Sequence, residues 1–150
     1  MQVRHLMQRD VLRMNDDDTL DVAEDIMRLG QVRHIPVVSG TRLVGLVSQR
    51  DLLRAATSSL LGSQRETKRA WPGKVAVRDV MTKRVHTVGP EQSVTDVVAL
   101  LLEHRIGCLP VVEGDALVGI VTETDCLRYL ARVLDIDAAK HALPELPTGK

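Results

Sequence analysis

The sequence has almost no aromatic residues. Its 150 residues include no Phe, one Trp and one Tyr, so there is no aromatic platform on which the bases of a single-stranded nucleic acid could stack. Twenty basic residues balance twenty acidic ones, and the absence of a long basic run argues against an electrostatic contact with DNA or RNA. The interior must therefore be built from Val, Leu, Ile, Met and Ala.

Long apolar runs and cysteine pairs are also missing. No stretch approaches the roughly twenty apolar residues of a membrane span, and the polar start from Met1 to His5 does not resemble a signal peptide. The two cysteines, Cys108 and Cys126, are expected to be free, buried thiols in a reducing compartment. We therefore expect a soluble, cytoplasmic protein without a membrane partner.

Patterns typical of catalysis or metal binding are not evident. The five histidines are scattered, and neither a His-x-x-x-His nor a Cys-x-x-Cys spacing occurs. No Ser lies in a nucleophile elbow, and no Gly-rich phosphate loop is present. The sequence therefore predicts neither an enzyme nor a metal site.

One segment of the sequence occurs twice. The run from Ile35 to Asp51 has a counterpart from Leu109 to Asp125, at a constant offset of 74 residues (35 to 109). Extending the same register backwards, roughly fifty residues repeat without insertion or deletion. The repeat sets the architecture of the chain, and the two short copies are expected to share one core.

Each copy predicts a β-hairpin that is preceded by a helix. Two short apolar runs flank a turn signal centred on Gly40 or Gly114, and their continuous Val, Ile and Leu content suits strands buried on both faces. Before the first hairpin, a short strand is expected over 11–14 and a helix over 20–29, closed by Gly30. Three aspartates at 16–18 are interpreted as helix capping, in preference to a divalent cation site.

The second strand of each hairpin leads into a helix through a hydroxyl followed three residues later by an acid. These tetrads are Ser48-x-x-Asp51 and Thr122-x-x-Asp125, and they are typical of a capping box. A helix N-terminus that follows a strand is also a ready phosphate site, where the hydroxyl and acid could hold a nucleotide's phosphate and ribose. Residue chemistry alone leaves both alternatives open.

Two copies of β-α-β-β-α, each with an h-Pro-Val-Val strand and a Gly-h-h-[ST]-x-x-Asp ending, resemble a tandem pair of cystathionine-β-synthase (CBS) domains, the Bateman module. The resemblance covers about residues 3–58 and 75–134. It implies an α/β (α+β) fold in which two pseudo-symmetric repeats pack as one module. The expected divisions are repeat 1 at 1–58, a linker at 59–74, repeat 2 at 75–134, and a helix end and tail at 135–150.

The resemblance further implies a regulatory module that binds AMP, ADP or ATP, alone or with Mg²⁺, in the clefts between the repeats, with no required cofactor. Asp51 and Asp125 match the family's ribose ligands. Ser48 and Thr122 match groups near the phosphates. The first site would comprise Arg33, His34, Ile35, Val47, Ser48, Asp51, Thr82, Val85 and His86. The second would comprise Gln8, Val11, Leu12, Gly107, Cys108, Leu109, Val121, Thr122 and Asp125.

The two implied sites differ in charge. Arg33 and His34 could form charge-assisted hydrogen bonds to phosphate, whereas Gly107 and Cys108 supply no cation. The sequence therefore predicts that the Asp51 site binds a polyphosphate more tightly, with His34 titrating near neutral pH.

The resemblance also implies partners. Pairs of this family associate through helices into homodimers, and a separate effector protein would read the arrangement of the two copies. Two alternatives stay open: a sensor of another adenosyl ligand, S-adenosylmethionine or NAD, and a ligand-free dimerisation scaffold.

Overall fold

The computed structural model describes residues 1–62 and 75–136. Residues 63–74 of the predicted linker and 137–150 of the predicted tail lie outside the described residues. The described chain has an α+β fold, as predicted, in which helices pack on one mixed sheet. Its strands are β1 (Met14–Asn15), β2 (His34–Ser39), β3 (Arg42–Ser48), β4 (Cys108–Glu113) and β5 (Ala116–Thr122). Its helices are α1 (Leu20–Gly30), α2 (Gln49–Gly62), α3 (Val94–His104) and α4 (Glu123–Val133), with short 3₁₀ helices at Val3–His5 and Val77–Asp79.

The two predicted hairpins form the centre of the sheet. Its strand order is β1-β2-β3-β5-β4, and β3 meets β5 where Arg42 pairs with Ala116. Gly40 and Gly114 lie in the two turns with φ angles of 65° and 61°, a left-handed conformation that glycine adopts without steric cost. The hairpins are therefore confirmed, and they bring the two repeats side by side edge to edge.

The first strand of each repeat is shorter than predicted. The strand expected over 11–14 is reduced to Met14 and Asn15, which pair in parallel with Val37 and Val38. In repeat 2 only an isolated bridge between Val88 and Val111 remains. The segment around Leu12 and Arg13 is exposed, so no burial holds it against a neighbouring strand.

The ends of the first helices also depart from the prediction. Gly30 is the last helical residue of α1, and the left-handed residue is Gln31, with a φ of 52°. Arg105 has the same φ after α3, and its N–H bonds the carbonyl of Leu101. At the start of α3 Ser93 is the N-cap, and its hydroxyl accepts from the N–H of Thr95.

The expected single core is divided into two clusters, and each contains residues from both repeats. Val77, from the segment that begins repeat 2, is fully buried in the cluster of repeat 1. Val3 and Met7, from the start of the chain, are buried in the cluster of repeat 2. Each short repeat therefore completes its interior with a segment of the other, which supplies apolar surface that it could not bury alone.

Each of these two exchanged segments crosses a strand of the sheet at a glycine of that strand, where the missing side chain leaves room for the segment. A Cβ on Gly119 would lie 2.7 Å from Met7 Sδ and 3.0 Å from the carbonyl oxygen of Gln8. Gln8 and Ile120 exchange backbone hydrogen bonds of 2.8 and 3.0 Å at this crossing. The equivalent crossing places Met81 against Gly45 and pairs Thr82 with Leu46. The residues after Met7 and Met81 are thereby fixed beside the strand that leads into the second helix of the other repeat.

Candidate functional site

The strand-to-helix corner of repeat 1 is closed by a capping box. Oδ2 of Asp51 accepts from the backbone N–H of Ser48 at 2.8 Å and from its hydroxyl at 2.9 Å. The N–H of Asp51 donates back to Ser48 Oγ at 3.1 Å. The capping interpretation of the tetrad is therefore confirmed, but it engages only one of the two carboxylate oxygens. A cap and a ligand contact are compatible at this acid.

The corner of repeat 2 has the same box and a second set of partners. Oδ2 of Asp125 accepts from the N–H and hydroxyl of Thr122 at 2.9 and 2.7 Å. Its Oδ1 accepts from Nε2 of Gln8 at 2.8 Å and lies 3.7 Å from Nη1 of Arg128. Asp125 is 6% exposed, and both oxygens of its buried carboxylate have partners, as a buried charge requires.

A cavity opens beside each corner acid, and the two cavities are related by the repeat. The cavity at Asp125 has a volume of about 230 Å³ and that at Asp51 about 190 Å³. The first is lined by His5, Leu6, Gln8, Asp125, Arg128, Tyr129 and Arg132. The second is lined by Asp51, Arg54, Ala55, Asp79 and Val80. We call them the Asp125 pocket and the Asp51 pocket. Each combines the corner helix of one repeat with the 3₁₀ segment of the other.

Four of the predicted site residues belong to the core. Ile35 pairs with Val47, and Leu109 pairs with Val121, in the antiparallel hairpins. All four side chains are completely buried. Only their backbone atoms could meet a ligand.

His34 and Cys108 occupy equivalent places opposite the corner hydroxyls. His34 pairs with Ser48, and Cys108 with Thr122. The His34 ring crosses toward the other repeat, where its Cε1 would lie 3.0 Å from a Cβ on Gly107. The absence of a side chain at Gly107 leaves the space that the ring uses.

Burial lowers the pKa of His34 from its usual 6.5, and the neighbouring Arg33 guanidinium lowers it further, against the opposing carboxylates of Glu123 and Asp51. The ring is therefore mostly neutral at pH 7, and the cation expected there near neutral pH is absent. Arg33 itself is exposed. Burial raises the pKa of the Cys108 thiol to about 12, with a further contribution from Glu123, so the thiol stays protonated. Cys108 and Cys126 are both free, and Cys108 is buried as expected, whereas Cys126 is only half-buried.

The exchanged segments bring some of the predicted site residues of one repeat to the corner of the other repeat. Gln8 reaches Asp125 directly, and Thr82 pairs with Leu46, two residues before Ser48. The contacts of the more distant residues lead elsewhere. His86 stacks on His104 of its own repeat, with ring centroids 4.0 Å apart, and Leu12 packs against Gly30. Val11 and Val85 are half-buried.

Sequence reasoning missed the residues that line the outer part of each pocket. Arg128, Tyr129 and Arg132 follow Asp125 at spacings of three, four and seven residues. This is the spacing of one helix face, so the helical period starting from the corner acid could have found them. His5 and Asp79, at equivalent positions of the two 3₁₀ helices, carried no comparable signal.

Two classes of site find no support in the described part of the chain. Among these residues no group of three or more His, Cys, Asp or Glu side chains could hold a metal ion. None of the described helices combines the length and apolar character needed to cross a membrane.

Comparison with known proteins gives consistent results. The family model of the CBS domain matches residues 3–58 and 77–132. An inosine-5'-monophosphate dehydrogenase of Korarchaeum cryptofilum is 35% identical over 118 residues, which are 78% of this chain but only 22% of that enzyme. The matched part of this chain thus corresponds to about a fifth of the relative's length, so the enzyme's activity is not carried over.

Solved structures match over nearly the whole chain. A Vibrio cholerae protein that bears the name of an acetoin utilization protein, AcuB, is 32% identical, with a TM-score of 0.75 over 96% of this chain and 98% of that one. The crystal structure of CBSX2 in complex with AMP is 28% identical, with a TM-score of 0.74 over 89% of this chain and 98% of the other. With two matched repeats, exchanged segments and a capped acid at each corner, the chain belongs to the CBS domain family, as a tandem pair of CBS domains.

Proposed function

We propose that the protein is a regulatory module that binds an adenine nucleotide, AMP, ADP or ATP, in the clefts between its two repeats. The observation that carries the proposal is the make-up of the pockets. Each one combines the corner acid of one repeat with the 3₁₀ segment of the other. A ligand there contacts both repeats at once, so it can favour one relative arrangement over another.

The corner chemistry suits a nucleoside. One oxygen of Asp51 is held by the cap, which fixes the carboxylate and leaves its second oxygen able to accept from a ribose hydroxyl. The related structure of CBSX2 contains AMP, which supports an adenine nucleotide as the ligand. A nucleotide without Mg²⁺ is the simplest form, and Mg²⁺ would arrive with the phosphates.

Calorimetric titration with AMP, ADP and ATP tests the proposal, using Asp51→Asn and Asp125→Asn. The Asn carbonyl oxygen can replace the capping oxygen, while its NH₂ group cannot accept from a ribose hydroxyl. Each variant should therefore lose one binding site and keep its fold. Nucleotide at a hundredfold excess over Kd should also stabilise the wild type by about 2.7 kcal/mol, a rise in Tm of roughly 5–10 °C.

The matched control is Asp21→Asn, which changes an acid in the first turn of α1 outside both pockets. It should bind like the wild type. Normal binding by both corner variants would place the nucleotide elsewhere and end the proposal. S-adenosylmethionine and NAD in the same titration separate the alternative adenosyl sensor, and no heat with any of them would favour the dimerisation scaffold.

The proposal includes a cytoplasmic homodimer that acts on a separate effector protein without catalysing a reaction itself. Support for the dimer comes from α2 and α4, where Leu53 and Leu127 occupy equivalent positions and are 68% and 64% exposed. Leu130, one turn after Leu127 on α4, is also exposed at 47%, and neighbouring exposed apolar side chains on one helix face are typical of an interaction surface.

A further inference from the structure

The two pockets are equivalent in position, but the charges of their described lining residues are opposite. Among these residues, the Asp125 pocket has two guanidinium groups, of Arg128 and Arg132, beside one carboxylate. The described lining of the Asp51 pocket has two carboxylates, of Asp51 and Asp79, beside the guanidinium of Arg54. Because the repeat relates Arg54 to Arg128, the difference comes from the positions that the copies do not share.

The arginines of the Asp125 pocket are arranged to hold an extended anion. Arg128 and Arg132 are four residues apart on α4 and therefore neighbours on one helix face. The positive charge of Arg128 is partly offset by the carboxylate of Asp125, 3.7 Å away. Arg132 adds a second cation one helical turn farther from Asp125. His5, from the other repeat, adds a ring nitrogen to the same wall. Guanidinium groups bind phosphate oxygens through two parallel N–H donors.

Among the described lining residues, an aromatic side chain occurs in the Asp125 pocket and not in the Asp51 pocket. Tyr129 lines the Asp125 pocket and is 39% exposed, while the equivalent position in the Asp51 pocket is Ala55. An exposed phenol ring offers a flat apolar face on which a purine can stack. Base, ribose and phosphate thus each have a candidate partner: Tyr129, Asp125 and the arginine pair.

The Asp51 pocket is unsuited to a polyphosphate. A phosphate chain placed beside Asp51 and Asp79 would meet two like charges, which disfavours its binding. An adenosyl compound that is neutral or carries a positive charge would meet no such repulsion.

We propose that the Asp125 pocket selects nucleoside di- and triphosphates and that the Asp51 pocket takes adenosyl ligands with little or no negative charge. This inference rests on the proposed nucleotide-binding function and reverses the order of the two sites predicted from sequence. Arg33 keeps its charge but is exposed and does not belong to the described lining of the Asp51 pocket, and His34 is mostly neutral, so neither residue places a cation among those lining residues.

The test is calorimetric titration with ATP, AMP and adenosine of the wild type, Arg132→Gln and Arg132→Lys. Loss of the guanidinium should weaken ATP binding about tenfold or more and leave adenosine binding within about twofold. Lysine should restore part of the ATP affinity, because it keeps the charge but not the fork of donors. Arg28→Gln, which removes a surface arginine of α1 outside both pockets, should match the wild type.

The same titration in Asp125→Asn and Asp51→Asn assigns the pockets. ATP binding should be lost in the first variant and kept in the second, and adenosine should show the reverse. If ATP instead depends on Asp51, or if Arg132→Gln loses no more ATP affinity than Arg28→Gln, the inference is overturned while nucleotide binding stands. If no adenosine compound binds the wild type, both proposals fail together.

Discussion

Gln8 already occupies one oxygen of Asp125. Its carboxamide donates to Asp125 Oδ1 at 2.8 Å, so the ribose hydroxyl that we propose to bind there would compete with that bond. In the Asp51 pocket the equivalent position is Thr82, whose shorter side chain pairs no acid among the described contacts. The two acids are therefore the same by motif and different in availability.

We expect Gln8→Thr to tighten adenosine nucleotide binding at the Asp125 pocket several-fold. The replaced hydrogen bond contributes about 0.5–1.5 kcal/mol, and its removal leaves Oδ1 available to the ligand. The measurement is calorimetry in an Asp51→Asn background, where only one pocket contributes. Weaker binding than in the parent would mean that Gln8 contacts the ligand itself.

His34 should make stability depend on pH. Its pKa is lowered from 6.5 in the folded protein, so below pH 6.5 the unfolded chain takes up the proton first and the free energy of unfolding falls. From about one pH unit above 6.5 both states are neutral and the effect vanishes. The slope is at most about 1.4 kcal/mol per pH unit, reduced by the ring's partial contact with water.

Urea unfolding of the wild type and His34→Gln at pH 7.5, 6.5 and 5.5 measures this effect. The variant should lose less stability than the wild type on acidification, and the difference between them should become constant about one pH unit above 6.5. Parallel pH profiles for the two proteins would show that the ring titrates normally.

The motif could predict the two acids but not their surroundings. The capping box depends on residues three apart in sequence, and its spacing is visible directly. The bond from Gln8 to Asp125 joins residues 117 apart, and the environment that lowers the pKa of His34 comes from both repeats. Contacts between distant segments leave no local pattern to read.

At the scale of elements, the crossings of the exchanged segments over β3 and β5 are the most constrained places. The absence of a side chain at Gly119 lets Met7 and the backbone of Gln8 approach β5. Gln8 is held there by two backbone hydrogen bonds to Ile120. A larger residue at Gly119 would push this segment away from the corner that it completes.

We expect Gly119→Ala to destabilise the protein by about 1–3 kcal/mol, the usual cost of overpacking, and to weaken ligand binding at the Asp125 pocket. The control is Gly89→Ala, where the nearest atoms to a new Cβ are 3.8 and 3.9 Å away and leave room for it. Chemical denaturation of both variants gives the comparison. Equal stabilities would show that the segment moves aside at little cost.

The hairpins and the long helices were predictable because their signals, a turn glycine and a 3.6-residue apolar period, are each contained within a short stretch of sequence. The two-residue strand β1 carries too little pattern, and its pairing is decided by burial of Met14 against strand β2. The left-handed ends at Gln31 and Arg105 also went unpredicted, since glycine is the usual residue there. Local signals failed where tertiary packing decided the conformation.

At the scale of the whole molecule, the exposed leucines of α2 and α4 bear on assembly. We expect sedimentation velocity to show a homodimer, and we expect Leu127→Glu and Leu53→Glu to convert it to a monomer. A charge placed in an apolar interface remains without a partner and opposes association. Leu102→Glu, on the outer face of α3 with 75% exposure, is the matched control and should stay dimeric.

A monomeric wild type would remove the dimer from the proposed function. Dissociation by Leu102→Glu alone would move the interface to α3. The repeat in the sequence correctly predicted a single pseudo-symmetric module, but it did not predict that the interior is divided in two, because periodicity within a segment does not tell which neighbour it packs against.

Val3 and Met7 are buried in the interior of repeat 2, and Val77 is buried in the interior of repeat 1. Each repeat therefore lacks part of its interior when it is separated from the other. Fragments 1–62 and 75–136 made separately should stay unfolded, because each lacks the core residues that the other supplies. Mixed in equal amounts, they should reconstitute one another, as complementing halves of a split protein do.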